Sequence, residues 1–264
     1  PGDPNTIFIS GQRNIWSSYD AGITWNNCTR TIREKTQFPG FRFQSRCEIA
    51  VSNENPSLLY ACILFIESGN VEIKIFLSKD YGRSFQQQHE NAVFADGTGG
   101  RAGFDVSSLN AKLVAIGLNQ FSFSDDAGKT IQINAAGGYN ASGYNFADRH
   151  YMHADIQRMV FSPAESNVIF VCTDGGLFRC EYHPNQKDKF SCTNLSNGLN
   201  VRRSIGFASS QQNKNLLYEG GWDVGTLQSD FSKTNPFTTI YGGDGGYCSV
   251  DPVNDRQFIV NHPS

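Results

Sequence analysis

The sequence predicts an all-β fold assembled from repeated four-stranded antiparallel blades. Three observations predict it: a short apolar phrase recurs at a regular spacing, turn residues punctuate the chain, and no strong helical periodicity competes. The 264-residue chain carries 26 Gly, 20 Phe and 10 Tyr. That composition suits short strands joined by tight turns.

The recurring phrase is a turn rich in Asn, Pro or Ser, then four or five apolar residues, then a small residue. It begins as Asn5-Thr6-Ile7-Phe8-Ile9-Ser10-Gly11. It returns as Ser57-Leu58-Leu59-Tyr60-Ala61-Cys62 and as Ala111-Lys112-Leu113-Val114-Ala115-Ile116-Gly117. Next come Asn167-Val168-Ile169-Phe170-Val171-Cys172, then Asn215-Leu216-Leu217-Tyr218-Glu219-Gly220, then Arg256-Gln257-Phe258-Ile259-Val260. Starts near 5, 57, 111, 167, 215 and 256 lie 52, 54, 56, 48 and 41 residues apart. That period suits a propeller blade of four strands with its loops.

Most copies follow a first strand and a turn, as at Glu48–Ser52, Gly103–Ser107 and Arg158–Ser162. A third strand comes after, as at Asn14–Ser17 and Ile73–Ser78. The opening strand near Ile7 is a second strand, and the last, near Phe258, is a second strand again. Residues 1–264 therefore read as one β-propeller segment of about five blade-lengths, incomplete at both ends. The whole propeller is expected to hold roughly six to eight blades.

Charge narrows the partners. The net charge is −3 and only 18% of residues are charged, so a nucleic-acid partner held through phosphates is not expected. No apolar run approaches the roughly 18 residues of a membrane span. The Pro1-Gly2-Asp3-Pro4 start is not a signal peptide, which does not exclude secretion of a mature chain. Seven cysteines are present without a Cys-x-x-Cys pair, so a zinc knuckle is not indicated. Two pairings, Cys28 with Cys47 and Cys180 with Cys192, would each close a loop and suit an oxidising compartment; buried free thiols are the other reading. Cys62 and Cys172 sit in apolar runs, which predicts core packing.

A second signature is Ser-x-Asp-x-Gly-x-x-aromatic. It reads Ser18-Tyr19-Asp20-Ala21-Gly22-Ile23-Thr24-Trp25, then Ser78-Lys79-Asp80-Tyr81-Gly82-Arg83-Ser84-Phe85. A third copy, Ser124-Asp125-Asp126-Ala127-Gly128-Lys129-Thr130-Ile131, has Ile in the aromatic place. The carboxylate can collect turn amides, Gly supplies a positive φ, and the aromatic packs the next strand between blades. This pattern resembles the Asp-box, or bacterial neuraminidase repeat, family of β-propellers. The resemblance implies that Asp20, Asp80 and Asp126 are structural, with a bound Ca²⁺ the lesser reading.

The later half carries Thr173-Asp174-Gly175-Gly176-Leu177-Phe178-Arg179, Gly220-Gly221-Trp222-Asp223-Val224-Gly225 and Gly242-Gly243-Asp244-Gly245-Gly246-Tyr247. With the boxes, these phrases look like propellers related to family 74 glycoside hydrolases, more than sortilin-type propellers. The resemblance is specific for fold and silent on activity.

Ligands of propellers bind on loops near the central channel. His153 and Asp155 precede a first strand; Asp174, Trp222, Asp223 and Asp244 sit in Gly-rich turns. If these turns share one end, they suit sugar hydroxyls or a cation; loop hydrogen bonding is the plainer alternative. Asp155, Asp174, Asp223 and Asp244 are the candidates for a pair of carboxylates in glycoside hydrolysis. A sialidase is not indicated, because its Arg-Ile-Pro phrase is absent and Arg158, Arg179, Arg202 and Arg203 suit a surface. No Gly-x-Ser-x-Gly elbow or phosphate loop occurs, and His150 and His153 suit loop hydrogen bonding. Trp222, Tyr139, Tyr144 and Phe146 lie in polar loops where they can stack on sugars or pack on a neighbour. Asn27, Asn140 and Asn194 open Asn-x-Ser/Thr sequons, which permit glycosylation without arguing for it.

The sequence thus predicts a secreted or cell- or virion-surface propeller module. It would bind a glycan or protein partner on the propeller face, beside the remaining blades or domains of its own protein. It needs no cofactor and no metal, a structural Ca²⁺ being the one exception. The alternatives are a family-74-like glycoside hydrolase and a structural subunit of a surface filament.

Overall fold

The computed structural model describes residues 3–11, 14–35, 46–67, 70–88, 92–94, 103–133, 151–199, 204–222 and 224–261. The chain divides into two units, Pro1–Ser196 and Asn197–Ser264.

The first unit opens with β1 (Ile7–Ser10), β2 (Ile15–Ser18) and β3 (Asn26–Asn27), paired in that order. The short helix α1 (Cys28–Lys35) follows. Its first turn is capped by Asn27, whose Oδ1 accepts the Arg30 N–H at 3.1 Å, as expected of an N-cap asparagine. The next sheet runs β4 (Arg46–Val51), β5 (Leu59–Glu67), β6 (Asn70–Ser78) and β7 (Gln86–Gln87), with β8 (Ala92–Phe94) also on β6. Then come β9 (Gly103–Ser107), β10 (Asn110–Gly117), β11 (Phe121–Ser124) and β12 (Gln132–Ile133). The unit closes with β13 (Ile156–Phe161), β14 (Val168–Thr173), β15 (Gly176–Tyr182) and β16 (Phe190–Asn194). The second unit holds β17 (Ser204–Ser209), β18 (Leu216–Gly221), β19 (Gly225–Asp230) and β20 (Phe237–Tyr241), then the pair β21 (Cys248–Val250) and β22 (Phe258–Val260).

Pairing within every sheet is antiparallel, and between chain neighbours except where β8 joins β6. The recurring apolar phrase forms β1, β5, β10, β14, β18 and β22. Its continuous hydrophobicity has a simple cause. A strand packed on both faces must be apolar at every position, not at alternate ones. In β5, Leu59, Ala61 and Ile63 face one apolar cluster while Tyr60, Cys62 and Leu64 face another. In β10, Val114 and Ile116 face the second cluster and Leu113 and Ala115 a third. The core of this unit therefore lies between successive sheets, in three layers.

Hydrogen bonds stitch one sheet to the next. The buried Tyr60 hydroxyl donates to the Ala111 carbonyl at 2.6 Å, and the Glu54 carboxylate accepts the Ala111 N–H at 2.5 Å. Ser52 Oγ donates to Ser107 O, and Ser107 Oγ donates to Ser166 O. Asp105, on β9, accepts the Phe161 N–H of β13 at 2.7 Å. Burial pushes the Asp105 carboxyl above the usual carboxylate range, against the amides of Phe161 and Val106 and the charge of Arg158. These bonds satisfy buried polar groups that would otherwise oppose folding.

The cysteines follow the two-pairing expectation only in part. Cys180 and Cys192 form a disulfide across directly opposed positions of β15 and β16. No bridge joins Cys28 to Cys47. Both are buried in the apolar layer between the first two sheets, and the Cys28 thiol donates weakly to the Asn26 carbonyl. Cys62 is fully buried, as expected. Cys172 is exposed, against expectation. Ile169 and Val171 take the core-facing phase of β14, and Cys172 falls on the opposite face.

Candidate functional site

The three Ser-x-Asp-x-Gly segments form one turn built three times. In each, the Ser hydroxyl donates to the Asp carboxylate: Ser18 to Asp20 and Ser78 to Asp80 at 2.7 Å, Ser124 to Asp126 at 2.8 Å. The same hydroxyl accepts the N–H of Gly22, Gly82 or Gly128 at 2.7–2.8 Å. The carboxylate also accepts the N–H and the hydroxyl of Thr24, Ser84 or Thr130. The glycines have φ of +90°, +78° and +85°, and the residues before them, Ala21, Tyr81 and Ala127, are positive as well. Two consecutive left-handed residues make the turn tight enough for its own carboxylate to fill. The sequence signals the Gly and gives no sign of the preceding residue. Phe85 is buried in the first apolar layer. Trp25 departs from its expected role, remaining 38% exposed while its indole N–H donates to Gly22 O.

These bonds leave a pH signature. The Thr24 hydroxyl and amide and the Ser18 hydroxyl hold the Asp20 carboxyl down at about 2. Burial pushes Asp80 and Asp126 up, but their turn hydrogen bonds outweigh it and hold both low. A carboxyl depressed in the folded state adds stability above its unfolded pKa of about 3.9 and loses it as pH falls through the folded value. Denaturation midpoints of the first unit are expected to hold at pH 5 and fall between about pH 4 and 2. A triple Asp20→Asn, Asp80→Asn, Asp126→Asn variant is expected to flatten that fall. An equally steep fall in the variant would remove the turns as its cause.

The candidate ligand-facing residues divide between the units. In the first, the turn before β13 and the β14–β15 turn come together. Asp174 N–H donates to Asp155 O at 3.3 Å. Gln157 Nε2 donates to Asp174 Oδ1 at 2.6 Å and to Asp155 O at 3.3 Å. His153 Nδ1 lies 2.9 Å from Ala154 O, and its ring fills the space where a Gly175 side chain would stand. Asp155 has φ of +60°, a conformation that Asp tolerates better than most residues. On the far side of the same peptide unit, Ile156 N–H donates to Leu118 O at 2.8 Å. Next to Leu118, Asn119 Oδ1 is buried and accepts no hydrogen bond among the described residues. His153, Asp155 and Asp174 are thus neighbours at this end of the blade. Gln157 and Asn119 were missed. Neither had a signal: the left-handed Asp155 breaks the strand phase before Gln157, and Asn119 stands in a turn.

In the second unit, Asp223 lies outside the described residues, as do Tyr139, Tyr144, Phe146, Asn140 and His150 of the preceding unit. Trp222 is 37% exposed in the β18–β19 turn, and Asp244 is half-buried in the segment before β21. The glycines around them have a structural role. Gly245 N–H donates to Gly221 O at 2.9 Å, and Gly246 N–H donates to Asn261 O at 2.9 Å. A side chain on Gly206 or Gly220 would overlap the Gly246 carbonyl. Backbone here packs on backbone, which only glycine permits.

Among the described residues, no group of three or more His, Cys, Asp and Glu is placed to hold a metal ion. Also among them, no helix is long and apolar enough to cross a membrane.

No protein-family description and no curated protein matches the chain. Solved structures do. The chain is similar to the GH74 xyloglucanase of Xanthomonas campestris, at 16% identity and a TM-score of 0.53, over 98% of this chain and 40% of that one. It therefore spans well under half the length of that enzyme. Weaker likenesses are the GH74 enzyme of Niastella koreensis (17% identity, TM-score 0.44, 97% and 39% of the two chains) and YCF48 of Cyanidioschyzon merolae (13%, 0.44, 98% and 76%). The four-stranded antiparallel sheets, the interleaved apolar layers and the likeness to the xyloglucanase together make this a β-propeller fold of distinct blades.

Proposed function

We propose that the protein is a non-catalytic, secreted or surface-borne Asp-box propeller module that binds a glycan or a protein partner. The observation that carries this reading is the meeting of His153, Asp155 and Asp174 at one end of a blade. Gln157 anchors one oxygen of Asp174 and the Asp155 carbonyl, so these groups are held in place before any ligand arrives. Preorganised acceptors on a rigid strand end suit recognition. The three box aspartates are taken up by their own turns, which supports a scaffold role for them. The Cys180–Cys192 disulfide supports an oxidising, extracellular setting.

Binding to immobilised glycans and to candidate partner proteins tests the reading. Asp174→Asn is expected to weaken the bound species about tenfold or more, the effect of losing a hydrogen bond to a charged group. An unchanged affinity with the fold intact would move the site elsewhere.

A glycoside hydrolase is the second reading, favoured by the meeting of the Asp155 and Asp174 segments and by the xyloglucanase likeness. In that case Asp174→Asn abolishes release of reducing ends from a β-glucan, while binding persists.

A further inference from the structure

The geometry points to Asn194 as an acceptor of an N-linked glycan, and to Asn27 as a sequon that stays bare. The sequons match as text, and the fold separates them. Asn194 is exposed and ends β16, the outermost strand of its sheet. Its Oδ1 accepts the Ser196 N–H at 2.7 Å. This Asx turn folds the sequon back on itself. It points the amide nitrogen away from the turn, and Nδ2 of Asn194 donates to nothing among the described residues. The Cys180–Cys192 disulfide closes two residues before it. Such a bond suits an oxidising compartment, and the lumen where N-glycans are attached is one of these.

Asn27 is differently placed. Its Oδ1 caps α1 through the Arg30 N–H, and its Nδ2 reaches Asn14 Oδ1 at 3.5 Å. The rest of its sequon is interior. Cys28 and Thr29 are 3% and 1% exposed. The hydroxyls of Thr29 and Ser196 each accept a backbone N–H, from Ile15 and Leu177, but Leu195 is exposed and Ser196 only half-buried. A sugar on Asn27 would have to coexist with the capping role of that side chain and with the buried Cys28 and Thr29.

The co-reactant is a lipid-pyrophosphate-linked oligosaccharide. A bond forms between Asn194 Nδ2 and the anomeric carbon of the sugar. The bond from that carbon to the pyrophosphate oxygen breaks, lipid pyrophosphate leaves with the electron pair, and one amide proton passes to a base of the transferase. The glycan would stand over the free edge of β16. Covering an edge strand in this way blocks pairing with other chains. The inference does not rest on the ligand reading, although the sequon lies beside the same β14–β15 turn, where the Ser196 hydroxyl accepts the Leu177 N–H at 2.8 Å.

The test is peptide mapping of the full chain directed into the secretory pathway of a eukaryotic cell. Asn140→Gln is included throughout, to isolate the two sequons under comparison. Enzymatic release of N-glycans in heavy-oxygen water marks each occupied asparagine. The label is expected on Asn194 and not on Asn27. Asn194→Gln is expected to remove the whole glycan mass shift, and Asn27→Gln none of it. An unlabelled Asn194 in secreted protein with Cys180–Cys192 formed would overturn the inference. A labelled Asn27 would overturn its structural basis. Because mapping is done on unmutated Asn194 and Asn27, poor folding of a variant does not blunt the test.

Discussion

Gly220→Ala is expected to unfold or severely loosen the second unit. The new methyl would overlap the carbonyl oxygen of Gly246. That atom is backbone, held by its neighbours: Gly245 N–H bonds to Gly221 O, Gly246 N–H to Asn261 O, and Asn261 N–H to Tyr247 O. Tyr247 N–H adds a bond to Asn261 Oδ1 at 2.6 Å. No rotamer change relieves the clash, so the segment before β21 must lift. A loss of about 3 kcal/mol or more is expected, the upper range for overpacking. Hydrogen exchange reads it out as lost protection at Gly246, Asn261 and the β21–β22 amides. Gly242→Ala is the control, since nothing lies within 4 Å of the added atom, and it is expected to be nearly silent. If both variants behave alike, the glycines are not there for close packing, and a ligand role for that loop gains ground.

Removing the Cys180–Cys192 bridge is the second large effect. The bond closes a loop of 12 residues' separation. Restricting that loop in the unfolded chain contributes about 3 kcal/mol. Its neighbourhood also matters. Cys180 and Cys192 lie in the third apolar layer with Phe121, Phe123, Phe178 and Phe190. Phe190 meets Phe121 and Phe123 edge-on, with ring centroids 4.8 and 4.9 Å apart, and β16 carries Phe190 into that layer. Lys189 reaches across to Asp125 at 2.8 Å, and the Tyr182 hydroxyl donates to the same carboxylate at 2.7 Å. A Cys180→Ala, Cys192→Ala variant is therefore expected to fray β16 first and lose about 3 kcal/mol in denaturant titrations. A reducing agent should reproduce the loss in the unmutated chain and leave the variant untouched. If reduction costs nothing, the strand is held by its aromatic packing and the Asp125 contacts alone.

Local chemistry was legible in the linear sequence because it acts over a few residues. Ser18, Asp20, Gly22 and Thr24 complete their turn within one heptapeptide, so spacing sufficed to read it. The apolar phrase was legible for a related reason. A strand buried on both faces leaves an unbroken apolar run, and six such runs at similar intervals imply a stack of alike sheets. Cys180 and Cys192 were near enough in sequence to suggest their bond.

Other features depend on which face of a strand is covered, and sequence carries that only weakly. Cys172 holds the same place in its apolar run as Cys62, yet the face of β14 that carries it is exposed, while the matching face of β5 is packed against Val114 and Ile116. Cys28 and Cys47 enter one apolar layer without forming a disulfide, an outcome that loop length cannot reveal. The Gly-Gly-Asp-Gly-Gly phrase also forms a backbone seam that the sequence did not signal, because its partners Gly206 and Gly220 lie some 25 to 40 residues away along the chain. At the candidate site, the sequence supplied His153, Asp155 and Asp174. Only the fold showed that Gln157 ties them together and that Asn119 stands beside them, because hydrogen bonds between turns are set by sheet register. The sequence alone therefore determined the repeating strand plan and the self-contained turns. Tertiary structure decided what is covered, what is bonded and what meets, since those depend on contacts between segments distant along the chain.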